Sequence, residues 1–252
     1  MNPLALSGRT LLITRPQPGA GQTAALVRKA GGIPLLAPAL VMGPPADTAP
    51  LHAAMACLGS FAGVIVTSAQ GARALLAALP GGGPRPPLYA VGPKTAAVAH
   101  QGGYPATLPI QPGDAEVLAQ SILARHQPGS RFLFLRAEAG RETLVRTLEQ
   151  AGCFVTLVAA YRATPVTQLP EAVLVALRQG EVDAIPFFSG RSAEAFLDAL
   201  PLPLLPWLER TLIAALSPVT ADFLRRRGVT VHLVALHPTA EDILATIASR
   251  WQ

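Results

Sequence analysis

The stretch AVGPKTAAVAHQGG, residues 90–103, and the stretch ALSPVTADFLRRRG, residues 215–228, follow the same plan. Each ends a short apolar run with a small residue and proline, and each then continues in a helical pattern. Proline suits the first position of a helix, because its missing N–H group would have no partner there. The chain is therefore predicted to build the same strand end and helix start twice.

Other segments of the 252-residue chain recur in the same way. GRTLLITR (8–15) resembles GSRFLFLR (129–136), and GVIVTSAQGARALLAAL (63–79) resembles DAIPFFSGRSAEAFLDAL (183–200). Arg15 recurs as Arg136 and Ser68 as Ser189, both 121 positions later. The two helix starts are 125 positions apart, and so are AEVLAQSI (115–122) and AEDILATI (240–247). The larger offset indicates a small insertion between these blocks and the earlier ones. This period is far too long for a solenoid, so two similar domains are predicted.

The apolar runs themselves indicate the fold class. Runs such as LLIT, GVIV and FLFL are continuous rather than alternating. Strands of this kind are buried on both faces, which is typical of parallel sheets covered by helices. The prediction is an α/β protein with two parallel-sheet domains.

Two proline-containing stretches, residues 38–45 and 159–167, are predicted to be interdomain linkers. If the chain crosses between the domains at both, domain 1 consists of residues 1–37 and 168–252, and domain 2 of residues 46–158. Two adjacent linkers would form a hinge, with a ligand cleft between the domains. A single division near residue 126 is the alternative, and the residues alone do not decide between the two.

The composition favours a small acidic ligand. The formal net charge is +5, which attracts anions. Aromatic residues are few, at 5%, and there is no long basic run, which argues against nucleic acid. The cluster Arg225–Arg227 is interpreted as a solvated helix end, where cations suit the helix dipole. Two cysteines and five scattered histidines predict neither a disulfide framework nor a metal site.

No segment has the pattern of a signal peptide or a membrane span. The longest apolar stretch, GIPLLAPALVMGPPA, is interrupted by prolines. A cytoplasmic protein is therefore expected, and a monomer, since no extended apolar interface is evident. Because no dinucleotide fingerprint or phosphate loop is present, chemistry without a cofactor is predicted.

The two repeated helix starts supply the first candidate binding residues. These are Gly92, Lys94 and Thr95 in one copy, and Ser217 and Thr220 in the other. Free N–H groups and the helix dipole bind anions at such positions, and ligands of open α/β sheets lie at this edge. Ordinary helix capping is the alternative explanation.

Further candidates follow the other repeated strands. Ser68 and Ser189 could donate hydroxyl and amide groups to an anion, or could serve only the strand-to-helix turn. Thr14 and Arg15 end the first strand, and Arg136 ends its equivalent in the other copy. Arginine pairs with carboxylates through two parallel hydrogen bonds, although an ion pair within the same domain would also explain these arginines.

Tyr161 ends a strand in the second predicted linker, within AAYRATP. A tyrosine at a crossing between domains would face the cleft and could offer its phenolic proton. The alternative is a packed aromatic ring with its hydroxyl group on the backbone, and the residues alone favour this alternative.

Taken in order, several segments resemble the uroporphyrinogen-III synthase family. They are LLITRPQPGAGQTAALVRKAGGIPLLAPAL, GVIVTSAQGARAL, YAVGPKTAAVAHQGG, FLRAEAGRETLVRTLEQAGCFVTLVAAYRATP, FFSGRSAEAF, ALSPVTADFLRRRGV and PTAEDILATI. Together they cover nearly the whole chain. The resemblance implies two flavodoxin-like α/β domains joined by a two-stranded linker, and an enzyme that uses neither metal nor organic cofactor.

The resemblance also implies a reaction. Hydroxymethylbilane loses its hydroxyl group as water to give an azafulvene, ring D attacks to form a spiro intermediate, and reclosure gives uroporphyrinogen III with ring D inverted. Tyr161 matches a tyrosine proposed to assist departure of the hydroxyl group. Cleft-lining positions of the family match Ser68, Thr95, Ser189 and Thr220.

The chain departs from the family pattern in three places, the first being Arg136-Ala137-Glu138 where the family more commonly has Arg-Gly-Glu. Ser217 stands before Pro218 where the family usually has glycine, so a side chain lies close to the predicted carboxylate site. Pro186 interrupts the strand DAIPFF, which predicts an edge strand or a bulge.

Two other functions remain open on the residues alone. One is a non-catalytic two-lobed protein that binds an acidic small molecule. The other is a glycosyl- or phosphoryl-transferring enzyme with twin α/β lobes.

Overall fold

The computed structural model of the chain describes residues 6–111, 114–138 and 143–251. Its strands are β1 (Thr10–Ile13), β2 (Ile33–Leu36), β3 (Leu40–Gly43), β4 (Gly63–Val66), β5 (Leu88–Ala90), β6 (Ala106–Thr107), β7 (Arg131–Ala137), β8 (Phe154–Pro165), β9 (Ala184–Phe187), β10 (Leu212–Ala215) and β11 (Leu233–Val234).

The helices alternate with these strands. They are α1 (Gly19–Lys29), α2 (Ala49–Ala56), α3 (Ala69–Ala78), α4 (Pro93–Gln101), α5 (Ala115–Leu123), α6 (Thr143–Gln150), α7 (Glu171–Gln179), α8 (Gly190–Ala199), α9 (Pro218–Arg226) and α10 (Ala240–Ser249). Within the described ranges, no helix has the length and apolar character needed to cross a membrane.

The chain forms two compact units. Unit 1 consists of Met1–Met42 and Thr164–Gln252, and unit 2 of Gly43–Ala163. The chain therefore changes unit at residues 42–43 and 163–164, positions that lie within the two predicted linkers. The finer boundaries predicted from the prolines remain a prediction.

The sheet of unit 1 has the strand order β11-β10-β9-β1-β2. The register recorded between neighbouring strands is parallel throughout. Numbered along the chain within this sheet, the order is 2-1-3-4-5, the arrangement of flavodoxin-like folds. The predicted α/β class with parallel sheets is confirmed.

The second sheet has the order β3-β8-β7-β4-β5-β6. Apart from the additional β3, this is the order of the first sheet, because β8, β7, β4, β5 and β6 stand where β2, β1, β9, β10 and β11 stand there. The sequence repeats match the strands in the same way, since the offsets pair β7 with β1 and β4 with β9. The two sheets are thus copies whose strands are joined in a permuted order.

Alternate residues of the second sheet face two separate apolar clusters, as the two-residue period of a strand requires. Val64, Leu133 and Leu135 belong to the cluster that contains Ala72 and Leu75 of α3. The intervening residues, Ile65, Phe132 and Phe134, belong to the cluster that contains residues of α5 and α6. Helices therefore cover both faces of the sheet, which explains why its strands are apolar without alternation.

The expectation that Pro186 marks an edge strand is wrong. Its strand, β9, is the central strand of the sheet, between β10 and β1. Four register pairs join β9 to β10, including Ala214 opposite Pro186, whereas a single pair, Leu11 opposite Ala184, joins it to β1. A proline lacks one ladder hydrogen bond, and a short ladder on one side accommodates that loss.

His126 lies in an aromatic cluster of unit 2. Its ring meets Tyr89 and Phe132 edge-on, with ring centroids 5.7 and 4.9 Å apart. The Tyr89 hydroxyl group lies 2.7 Å from Nε2 of His126. Burial lowers the pKa of His126 below its ordinary value of 6.5, and the charge of Arg125 lowers it further.

This depressed pKa predicts a loss of stability in mild acid. Below pH 6.5 the unfolded chain binds a proton at His126 before the folded chain does. The free energy of unfolding should therefore decrease as the pH falls from 6.5, until the folded side chain is protonated as well. Urea unfolding between pH 7 and pH 5 measures the effect, and His126→Gln should make the pH dependence smaller. A pH dependence identical in both proteins would contradict this assignment.

Candidate active site

The predicted site residues of unit 1 follow the carboxyl ends of β1, β9 and β10. Thr14 and Arg15 come directly after β1, while Ser189 and Ser217 come after β9 and β10. Because these strands are parallel neighbours, their carboxyl ends share one edge of the sheet. The strand order reverses direction between β1 and β9, and this switch point is where open α/β sheets bind ligands.

Arg15 is held by contacts within unit 1. Its Nη1 donates a hydrogen bond to Oγ1 of Thr23 at 3.1 Å, and its guanidinium group lies 4.4 Å from the centre of the Phe188 ring. Burial lowers the pKa of Arg15, and the nearby charge of Glu241 opposes that shift. A Cβ atom on Gly19 would lie 2.5 Å from Nε of Arg15, so a larger residue here would displace the arginine side chain from its present position.

Thr14 is completely buried, and its Oγ1 has no hydrogen-bond partner within the described residues. A buried hydroxyl group without a partner is uncommon, because desolvation is not compensated. The Thr14 hydroxyl group is therefore a buried polar group beneath the carboxyl edge of the sheet and is not exposed to solvent.

The serines of unit 1 act as helix caps. Oγ of Ser189 accepts a hydrogen bond from the Ser192 amide at 3.2 Å. Oγ of Ser217 accepts one from the Thr220 amide at 3.4 Å and lies 3.2 Å from Oγ1 of Thr220. Helix capping, the alternative explanation for this helix start, is therefore observed at Ser217, and it brings Ser217 and Thr220 together.

The equivalent helix start in unit 2 is more open. Pro93 is the first residue of α4, and no side chain among the described residues caps this helix at Gly92. The Thr95 amide donates instead to the Gly92 carbonyl oxygen at 3.1 Å, and the Thr95 side chain is buried. Lys94 is exposed beside them. The two repeated helix starts therefore share a backbone plan and differ in their caps.

Ser68 and Tyr161 are in direct contact in unit 2. Their hydroxyl oxygens are 2.9 Å apart, and Oγ of Ser68 also accepts a hydrogen bond from the Gly71 amide at 3.0 Å. The sequence indicated each residue separately and gave no sign that they meet. Ser68 follows β4, and the neighbouring strand β7 contains Arg136 as its sixth residue, so these residues flank the switch point of the second sheet.

A β-bulge in β8 directs Tyr161 towards Ser68. Arg136 lies opposite Ala159, whereas Ala137 lies opposite Tyr161, so Ala160 is an additional residue in β8. Without it, Ala160 and Tyr161 would point to opposite faces of the sheet. In the structure both pack against the cluster that contains Ala72 and Leu75 of α3.

Gly71 is a site residue that sequence reasoning missed. A Cβ atom at this position would lie 3.3 Å from the carbonyl oxygen of Leu135, 3.3 Å from Oγ of Ser68 and 3.9 Å from Cε1 of Tyr161. The absent side chain thus allows α3, β7 and the Ser68–Tyr161 pair to approach one another. Comparison of the repeats could have indicated this position, because the residue equivalent to Gly71 in unit 1 is Ser192, so glycine is not required by the shared fold.

No cluster of three or more His, Cys, Asp and Glu side chains suited to a metal ion occurs in residues 6–111, 114–138 and 143–251. The groups assembled in each unit are hydroxyl groups, amides and arginines. They can bind carboxylates and, at Tyr161, transfer a proton.

The fold defines a two-unit α/β protein with candidate site residues at the carboxyl edge of each sheet. The family model described as uroporphyrinogen-III synthase HemD matches residues 21–245. The uroporphyrinogen-III synthase of Synechococcus elongatus is 33% identical over 96% of this chain and 95% of its own length. The chain belongs to the uroporphyrinogen-III synthase family and is a cyclising lyase of porphyrin biosynthesis.

More distant proteins agree with this assignment. A putative uroporphyrinogen-III synthase of Methanothermobacter thermautotrophicus is 28% identical over 94% of this chain and 97% of its own length. Among solved structures, the uroporphyrinogen-III synthetase of Helicobacter pylori has a TM-score of 0.62 at 18% identity, covering 97% of this chain and 100% of that one. A mutant uroporphyrinogen III synthase of Thermus thermophilus has a TM-score of 0.61 at 24% identity, covering 97% and 99%. These structures support the fold.

Proposed function

We propose that this enzyme converts hydroxymethylbilane to uroporphyrinogen III, with inversion of ring D. The observation that carries the proposal is the Ser68–Tyr161 hydroxyl pair at the switch point of the second sheet, in a chain of this family. In the proposed reaction the hydroxyl group of the substrate leaves as water, and an azafulvene results. The substituted carbon of ring D attacks it to form a spiro intermediate, which fragments and recloses as the inverted macrocycle.

Tyr161 assists the first step in this proposal. Hydroxide is a poor leaving group, so a proton supplied as the C–O bond breaks lowers the barrier. The phenol of Tyr161 donates that proton to the departing oxygen, which then leaves as water. Proton release from the substrate later in the cyclisation restores the phenol, so the overall reaction loses one water molecule and needs no other reactant.

Ser68 positions the phenol. Because Oγ of Ser68 accepts the Gly71 amide hydrogen, its own hydrogen can be donated to the Tyr161 oxygen 2.9 Å away. The phenolic hydrogen of Tyr161 is then left for the substrate. Gly71 supports the same arrangement, since a larger residue would displace Ser68 or the neighbouring backbone.

The carboxylates of the substrate bind at the carboxyl edges of the sheets. In the proposal the backbone N–H groups and nearby cations at these strand ends hold the acid arms, which suits the net charge of +5. The side chains of Thr95 and Thr220 are buried and their amides already donate within the helix starts, so in the proposal these threonines hold the shape of the two turns. The proposed binding residues are Arg15, Ser68, Gly92, Lys94, Thr95, Arg136, Ser189, Ser217 and Thr220, whereas Thr14, which the sequence also predicted, is completely buried beneath them.

An isomer assay tests the proposal. Purified protein is incubated with freshly made hydroxymethylbilane, the products are oxidised to porphyrins, and isomers I and III are separated by chromatography. Isomer III should dominate, because ring closure without the enzyme gives isomer I. If the product remains isomer I at every protein concentration, the chain is not this enzyme, and binding without turnover would favour the two-lobed binding protein.

A further inference from the structure

A cavity of about 380 Å³ opens beside Tyr161, wholly within unit 2. Its walls are α2, the preceding residues 43–48, one face of α3, and the bulged part of β8 at Ala160 and Tyr161. We propose that this cavity binds the pyrrole ring of the substrate that carries the departing hydroxyl group. The inference rests on the proposed function and assigns to one ring a place that the reaction alone does not define.

The size of the cavity suits a single substituted ring. Small-molecule sites usually have volumes of about 300–1,000 Å³. At about 380 Å³ this cavity lies near the lower limit, so it does not accommodate a linear molecule of four rings. One ring with its acid arms is the unit of the substrate that matches it.

The lining of the cavity combines apolar and polar residues. Pro44, Pro45, Leu51, Ala74 and Ala160 provide flat apolar surface, which favours the faces of an aromatic ring. The polar lining residues are Thr48, His52, Gln70, Arg73 and Tyr161. None of the lining residues is an aspartate or a glutamate, so nothing in the wall opposes a carboxylate.

Arg73 provides the charge that an acid arm requires. Gln70 and Arg73 are three positions apart on α3, followed by Ala74 and Ala77 on the same face, and all four line the cavity. No described residue forms an ion pair with Arg73. An arginine that lines a largely apolar cavity favours a planar carboxylate, which its guanidinium group can contact through two N–H groups.

The position of Tyr161 identifies which ring is bound. Tyr161 lines the cavity, and its hydroxyl group lies 2.9 Å from Oγ of Ser68, which follows β4 at the carboxyl edge of the sheet. A pyrrole ring in this cavity therefore lies next to the phenol that releases the hydroxyl group. The ring that carries the hydroxymethyl substituent is the one that needs this neighbour.

Arg73→Gln tests the inference, because it removes the positive charge while glutamine has a helix propensity close to that of arginine. The matched control is Arg146→Gln, an exposed arginine on α6, which covers the opposite face of the same sheet. For Arg73→Gln we expect KM for hydroxymethylbilane to rise about 10-fold, the effect of one lost carboxylate contact. The control should leave KM and kcat unchanged, and thermal unfolding checks that both variants fold.

Direct binding provides the second measurement. The probe is a pyrrole with one acetate and one propionate arm, titrated into the full chain by NMR. Wild type and Arg146→Gln should bind the probe with the same affinity, and the NMR signals of residues that line the cavity should shift. Arg73→Gln should bind the probe about 10-fold more weakly.

The outcomes separate this inference from the proposed function. If wild type makes isomer III but Arg73→Gln has the KM of the control, the cavity is not the ring site and the proposed function stands. If wild type makes only isomer I, the proposed function fails, and the ring proposal fails with it even where the pyrrole binds. Absence of probe binding to the wild-type cavity, or equal binding by all three proteins, overturns the ring site.

Discussion

Tyr161→Phe should slow formation of uroporphyrinogen III by about 100-fold, the lower end of the range for loss of a general acid. The phenyl ring still fills the space beside α3, so substrate binding and KM should change little. Because the lost interaction is made in the transition state, kcat and kcat/KM should decrease together. Initial rates of isomer III formation measure both. Residual activity is expected, since positioning of the substrate alone still favours ring closure.

Removal of the hydroxyl group also breaks the hydrogen bond to Ser68, which costs about 1 kcal/mol of stability. Tyr104→Phe is the matched control, because the Tyr104 hydroxyl group donates to the Pro86 carbonyl oxygen in the same unit and the residue is more buried than Tyr161, at 4% exposure. That variant should lose stability and keep its kcat. Equal losses of kcat in both variants would show that the effect is structural, and an unchanged rate in Tyr161→Phe would return Tyr161 to a packing role.

Phe187→Ala should reduce the free energy of unfolding by about 3–5 kcal/mol, the usual cost of removing a buried phenyl ring. Phe187 is fully buried in the central strand of the unit 1 sheet and lies opposite Ala215 of β10. Its ring meets Phe196 of α8 at a centroid distance of 5.8 Å and an angle of 60°. Urea unfolding of the full chain measures the change.

Phe154→Ala controls for the chemistry of the substitution. Phe154 begins β8 and is 64% exposed, so the same truncation should change stability by less than about 0.5 kcal/mol. A comparable loss in the two variants would mean that burial in the central strand does not set the cost.

The repeats predicted much of the fold. The matched segments around Arg15 and Arg136, and around Ser68 and Ser189, predicted two similar α/β units, and the two sheets indeed share one strand order. Continuous apolar strands and proline at the helix starts are local signals, so they can be read without knowing which segments meet. Pro186 was misinterpreted because the position of a strand in its sheet depends on distant segments.

The candidate site was predicted only in part. Ser68, Ser217 and Tyr161 were identified as separate candidates, and capping by Ser217 follows from its place before a proline. The bulge at Ala160, the close approach at Gly71 and the cavity beside Arg73 were not predicted. Each depends on how several segments pack, which no single segment specifies.

By itself, the sequence determined the α/β class, the duplicated strand-and-helix plan and the family, because these follow from local patterns and from the order of matching segments. Only the tertiary structure decided that Ser68 and Tyr161 form a pair, although 93 positions separate them. The physical reason is that one additional residue in β8 and one missing side chain at Gly71 set the direction of a single tyrosine. Such a direction exists only once β4, β7, β8 and α3 have packed together.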